Sequence, residues 1–254
     1  MSEQEALYME DLRGWFRSIG AAETHPANFA PIQENRQGPH PDPTGIEEDL
    51  TIMIAQIEDM TRLLPACIVN CKLSQMDECE TLAEEVRRQA KVLTRKLVTR
   101  HRANELPTGL IRLPLRLERI ADELDSILTC CRIKARDAIE FSETAHDELH
   151  EVLAILLDMF ENLRDVIGNP NKEILNYILS QGETVTRHLR NARLLHWIRL
   201  ENGHCTPEAG SLFLDMLDSL KSSNEYVQKM ASTFTALFAA EQESGNSAQE
   251  TMSR

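Results

Sequence analysis

The stretch His146-Asp147-Glu148-Leu149-His150 places two imidazoles four residues apart. On a helix they share one face, the arrangement that helical metalloproteases use to hold zinc. Those enzymes need a Glu directly after the first histidine as general base. Here that position is Asp147, one methylene shorter, and no third ligand is evident. The pair therefore reads as exposed polar residues in the first turns of a helix, with adventitious metal binding as the alternative. The six cysteines, Cys67, Cys71, Cys79, Cys130, Cys131 and Cys205, form no C-x-x-C pair. Cys67 and Cys71, and the adjacent Cys130 and Cys131, lie inside an apolar helical pattern. They read as buried free thiols rather than disulfides or metal ligands, so a cytoplasmic chain is expected. No G-x-x-x-x-G-K-[ST], G-x-G-x-x-G or G-x-S-x-G motif occurs, and no constellation marks a nucleophile. Between 81 and 102 seven basic residues, Arg87, Arg88, Lys91, Arg95, Lys96, Arg100 and Arg102, stand against Glu84 and Glu85. That run reads as a solvated face balancing acidic neighbours, or as the site of an anionic partner or phosphate.

The whole chain limits what these residues can serve. Among 254 residues, Lys and Arg number 27 and Asp and Glu 41, a net charge of −14. A chain so acidic is not expected to bind nucleic acid generally or to adhere broadly to anionic membranes. Apolar residues make up 42 %, enough for a sizeable core, and aromatics only 5 %, with 10 Gly and 10 Pro. Few aromatics and few turn formers disfavour sandwiches and barrels. No apolar run approaches the ~18 residues of a membrane span. The start, MSEQEALYMEDLRGWF, lacks a basic region followed by an apolar one, so neither a signal peptide nor membrane insertion is expected.

The elements that must position these groups are helices. Apolar residues recur at i, i+3 and i+4 over about 46–74, 76–104, from Pro107 or Pro114 to about 142, 144–168, 171–202 and 206–241. Pro65 should bend the first run. Thr144, with Asp147 three residues on, should cap the fourth. Asn202-Gly203 should end the fifth, and Thr206-Pro207-Glu208 should open the sixth. Helix six repeats helix three about 103 residues later, four repeats one, and five repeats two. The fold class expected is all-α, a six-helix up-and-down bundle of two three-helix units, 46–143 and 144–241. Residues 1–19, with Leu7, Leu12, Trp15, Phe16 and Ile19, are spaced for a short amphipathic helix that docks on the body or on a partner. Pro26, Pro31, Pro39, Pro41 and Pro43 mark a linker up to residue 45. The tail 242–254 reads as disordered.

Two stretches are more specific than periodicity. LPLRLERIADELDSI, residues 113–127, resembles the L-E-R-I-[GA]-D-[HE]-x-x-x-I helix of the PhoU family. HWIRLENGHCTPEAGSLFLDMLDSL, residues 196–220, is similar to the signature of the PhoU-like domain on bacterial sodium/phosphate cotransporters. His196, Arg199, Leu200, Gly203, Cys205, Ala209, Gly210, Phe213, Leu214, Asp215 and Leu217 match it. The resemblance covers roughly 46–240, and the fold it implies is two antiparallel three-helix bundles.

The function it implies is that of a non-enzymatic adaptor in phosphate homeostasis. Such adaptors restrain uptake through a phosphate transporter and influence a sensor kinase, and a homodimer is the expected assembly. Some relatives carry iron or zinc clusters, so a divalent or iron-type metal is the cofactor the resemblance implies. Its ligands would be an E-x-x-x-D pair on the third helix of each unit. Here these are Glu118 and Asp122, with Lys221 and Glu225 at the matching positions of the second unit. The lysine would repel a cation. The middle helices depart further from the family's acidic pattern: one carries the seven basic residues above, the other Thr186, Arg187, Arg190 and Arg193. Ion pairing of Glu118 and Asp122 with basic helix two is therefore the reading set against metal binding, and a multinuclear cluster is not expected. A metal-binding bundle with a storage or hydrolytic role is the alternative to the adaptor. His196 reads as a packing or hydrogen-bonding residue at a helix end, where it and Arg199 suit the negative pole of the dipole.

Overall fold

A computed structural model describes residues 45–103, 106–169 and 171–252. The expected N-terminal helix and Pro-rich linker lie outside these residues. Those described form six long helices and one single turn, with no strand among them: α1 Gly45–Asn70, α2 Leu73–Arg102, α3 Thr108–Ile111, α4 Leu113–Arg136, α5 Glu143–Gly168, α6 Lys172–Glu201 and α7 Pro207–Met252.

The apolar stripes explain each helix. In α1, Leu50, Met53, Ile54, Ile57, Met60, Leu64, Cys67 and Ile68 are all buried, in steps of three and four. Glu47 and Glu48 in its first turn suit the positive end of the dipole. Pro65 lies inside the helix. Helices α1, α2 and α4 pack on one another, as do α5, α6 and α7, and the two sets meet along α1–α5 and α4–α7. The first helix of one unit thus packs on the first of the other, and the third on the third. Both seams are antiparallel: Arg62 reaches Glu161 while Arg164 reaches Glu58, and Arg116 reaches Thr233. All six long helices feed one continuous core.

Several helix ends differ from the sequence reading. Helix α1 stops at Asn70 rather than about 74, because Cys71 adopts φ +49°. Helix α4 stops at Arg136 rather than about 142, where Ala138 adopts φ +50°. Behind Ala138 the Ile139 amide donates to Lys134 O at 3.0 Å, a Schellman closure made without glycine. Helix α5 is capped by Ser142, whose hydroxyl accepts from the Ala145 amide at 3.2 Å, rather than by Thr144. The early end of α4 lets the chain turn and re-enter a helix two residues sooner. Helix α7 opens as expected, with the Ala209 amide donating to Thr206 Oγ1 at 3.2 Å. Its backbone continues to Met252, through residues read as an unstructured tail. Ala239, Ala240, Gln242 and Glu243 are good helix formers, which favours that continuation.

Left-handed backbone costs a residue with a Cβ roughly 1–2 kcal/mol. Ala138→Gly should therefore stabilise the bundle by about 1 kcal/mol, less what glycine loses in unfolded-state entropy. Urea unfolding checks this: a destabilised variant would show that Ala138 is not under strain.

Candidate functional site

The α4 carboxylates face basic α2. Arg87 Nε donates to Asp122 Oδ1 at 2.8 Å, and Arg87 Nη2 donates to Asp125 Oδ2 at 2.5 Å. Arg119 Nη1 adds a contact to Asp122 Oδ2 at 3.4 Å. Asp122 is thus held by guanidinium groups. Glu118 lies half-buried one turn earlier on the same helix. In the second unit Glu225 sits between Lys221 Nζ at 3.8 Å and Lys229 Nζ at 3.6 Å. The structure does not bring Glu118, Asp122 and Glu225 together as a ligand set. Among the described residues no group of three or more His, Cys, Asp or Glu side chains converges on a cation position. Arg87, Lys221 and Lys229 supply positive charge where a metal would sit, so these residues do not fit a resident cation.

Two further basic residues of this helix are similarly engaged: Arg88 pairs with Glu85, whose carboxyl is held down at about 2 by hydrogen bonds from Arg88 and Gln89, and Lys96 Nζ reaches Asp49 at 2.7 Å. Glu123, on the opposite flank of α4, faces α7. Burial raises its pKa, opposed by hydrogen bonds from Ser219 and Ser222. All six cysteines are free; four are buried, and Cys71 and Cys205 are half-buried. Burial pushes the Cys67 and Cys130 thiols up to about 11 and Cys79 to about 12. Cys131 is pushed up further by the same cause. Thiols so held do not ionise near neutral pH, which suits packing rather than nucleophilic or metal chemistry.

Sequence reasoning missed the most buried charge. Glu58 is 0 % exposed, on α1 where it meets α5. Its Oε2 accepts from Arg164 Nη1 at 2.8 Å and from Arg62 Nη2 at 3.1 Å, and its Oε1 is buried without a partner. Burial raises its pKa, and the two guanidinium groups pull it back only in part. Arg62 also donates to Glu161 Oε1 at 2.7 Å. The two units are joined at this point by the crossed pairs Glu58–Arg164 and Arg62–Glu161, with Asp59 also accepting from Arg62 at 2.9 Å. The one available signal was a carboxylate four residues after Ile54, inside the apolar stripe.

The 196–220 stretch builds the corner between α6 and α7. Gly203 takes φ +71°, and the His204 amide closes a Schellman turn onto Arg199 O at 2.8 Å. Buried His196 packs its ring on Phe213, with centroids 5.3 Å apart, and its Nδ1 lies 3.9 Å from Cys205 Sγ. A Cβ at Gly210 would stand 2.9 Å from His196 Nε2, which explains glycine there. Arg199 donates to both oxygens of Glu148, at 2.9 and 2.7 Å, while its guanidinium lies 5.5 Å from the Phe213 ring centroid. Burial first, and then Arg199, lowers the His196 pKa, so the ring is neutral near pH 7. Each matched residue with a contact here acts in packing, capping or pairing, which agrees with a packing role for His196.

Nearby, a groove of about 210 Å³ lies between α1 and α5, lined by Pro65, Ile68, His146, Asp147, His150 and Leu153 among others. His146 and His150 thus share a face, as their spacing implies. His146 Nε2 is buried without a partner, and burial lowers that histidine's pKa. No third ligand joins them among the described residues.

The arrangement defines a helical bundle with ion pairs across its helix seams and with motif residues that hold a corner. No family model matches this chain, and no curated protein does. Solved structures do. PhoU from Pseudomonas aeruginosa superposes with a TM-score of 0.69 at 14 % identity, covering 77 % of this chain and 96 % of that one. The phosphate transport system regulatory protein PhoU from Streptococcus pneumoniae superposes with a TM-score of 0.66 at 11 % identity, covering 76 % and 93 %. The chain has a PhoU-like fold. No helix of the described residues is long and apolar enough to cross a membrane.

Proposed function

We propose that this chain is a non-enzymatic adaptor that regulates phosphate transport or phosphate signalling through protein–protein contacts. The observation that carries this reading is the superposition on nearly the full length of two PhoU bundles, one of them described as a phosphate transport system regulatory protein. The partner would be a component of a phosphate transporter or of a sensor kinase in the cytoplasm, met by a homodimer of this chain. Binding through a helical face would shift that partner between conformations by binding one more tightly than the other. The engaged state of Arg87, Asp122 and Asp125 supports the adaptor over a metal-carrying bundle. Elemental analysis of the purified full chain tests the choice. The expected result is protein without stoichiometric iron, manganese or zinc. Stoichiometric metal lost on Glu118→Ala would favour a storage or hydrolytic role instead.

A further inference from the structure

The C-terminal half of α6 carries four exposed large apolar side chains: Leu194 at 61 %, Leu195 at 45 %, Trp197 at 51 % and Ile198 at 46 %. Leu194 and Ile198 are one turn apart on the outward face, flanked by Leu195 and Trp197. Opposite them on the same helix, Leu189, Ala192 and His196 are buried. Contiguous apolar surface of this kind marks a place something covers. One and two turns earlier on that face stand exposed Arg190 and Arg187. Neither pairs with a carboxylate among the described residues; Arg187 Nη2 reaches only Thr184 Oγ1, at 3.2 Å. Arg193, by contrast, is paired with Asp218 at 2.6 Å. Glu201 follows the apolar group at the helix end.

We infer that this face is covered by residues 1–19 of the same chain. That segment carries Tyr8, Leu12, Trp15, Phe16 and Ile19 at spacings of three and four. Its acidic residues, Glu3, Glu5, Glu10 and Asp11, precede most of the apolar ones, and Arg13 and Arg17 fall among them. Laid parallel to α6 with Asp11 beside Arg190, Glu10 lies between Arg187 and Arg190, and Trp15, Phe16 and Ile19 lie along Leu194–Ile198. The charge order along the segment thus complements the order along the face. The tether reaches. The end of α6 lies beside the start of α5, through Arg199 and Glu148, and that start lies beside the end of α1. The tether must therefore span roughly the length of α1, whose 26 residues run about 39 Å at ~1.5 Å each. Residues 20–44, 25 in number, extend to about 80 Å at ~3.3 Å each. Tethering makes a weak contact intramolecular and so effective. The inference goes beyond the adaptor reading and stands whether or not phosphate transport is regulated.

The chain has two tryptophans, Trp15 in the segment and Trp197 in the face. Fluorescence of the full-length Trp197→Phe chain therefore reports Trp15 alone. The expected result is blue-shifted emission and iodide quenching several-fold below that of free tryptophan, independent of protein concentration. Adding Leu194→Asp and Ile198→Asp, with helical content unchanged by circular dichroism, should shift the emission red and restore quenching. As a second reading, full-length Trp15→Phe should show Trp197 shielded, and removing residues 1–19 should expose it. Solvent-exposed Trp15 in the first variant overturns the inference, as does shielding that survives the two aspartates. Shielding that disappears on dilution would assign the face to a second copy and equally overturn it.

Discussion

Truncating Phe213 to alanine should cost the bundle about 4 kcal/mol, within the ~3–5 kcal/mol usual for a buried phenylalanine. Phe213, on α7, is 1 % exposed and touches α6 and the loop between α4 and α5. Its ring packs on His196, meets Phe141 edge-on at 6.1 Å between centroids, and lies under the Arg199 guanidinium. Its loss would leave a cavity beside a neutral imidazole and a paired arginine, neither of which can collapse into it. For a bundle of this size the melting temperature should fall by roughly 10 °C. Phe213→Leu should cost about 1–2 kcal/mol, since most of the volume remains. Calorimetry or urea unfolding gives the values. A loss below about 1 kcal/mol for the alanine variant would show that the corner does not depend on this ring.

The second large effect lies at the α1–α5 seam. Arg164→Met removes the closest partner of a carboxylate with no solvent exposure, leaving Arg62 alone to balance it. Stranding a fully buried charge costs about 3–5 kcal/mol. Arg164 is itself 36 % exposed and Arg62 remains, so about 2–3 kcal/mol is expected here. Glu58→Gln in the same background should recover most of that loss, while Glu58→Gln alone should lie within about 1 kcal/mol of the parent.

The pH dependence has a definite sign. Burial raises the Glu58 pKa above the ordinary carboxyl value of 4.5. An acid with a raised folded-state pKa gives its full contribution below the unfolded value and loses it as pH rises through the folded one. Removing Arg164 raises the folded pKa further. The cost of Arg164→Met should therefore be largest near neutral pH and shrink towards and below about 4.5, where Glu58 is protonated in both states. A cost independent of pH would locate the defect in packing rather than in the stranded carboxylate.

Much of this is legible in the sequence. The stripes of α1, α4 and α7 follow from leucine, isoleucine and methionine at spacings of three and four, and Pro207 marked the start of α7. The corner was legible because glycine at 203 and 210 and proline at 207 are positions where backbone and sterics leave few choices. The ends of α1 and α4 were not, because Cys71 and Ala138 take a backbone conformation that their types disfavour. Tertiary packing imposes it there, and no local residue announces it. Ser142 and Thr144 are both good caps, and only the path of the chain after Ala138 selects the former.

The candidate site was legible in part. Pairing of Asp122 with basic helix two was one of two readings of the charges, and Arg87 realises it. Asp125 shares the same guanidinium and was not singled out, because its partner comes from another helix. Glu58 was hidden for a similar reason: its arginines lie four residues away on α1 and 106 residues away on α5. Sequence pattern gives the face a residue occupies, but not which charge across a seam meets it.

We propose above that the bundle regulates phosphate traffic by contact rather than catalysis. Phosphate uptake in a strain lacking this chain, grown in high phosphate, tests it most directly. Uptake is expected to stay high where the parent strain restrains it, and to return to the parent level when the intact chain is restored. Unchanged uptake in the deletion strain would contradict it.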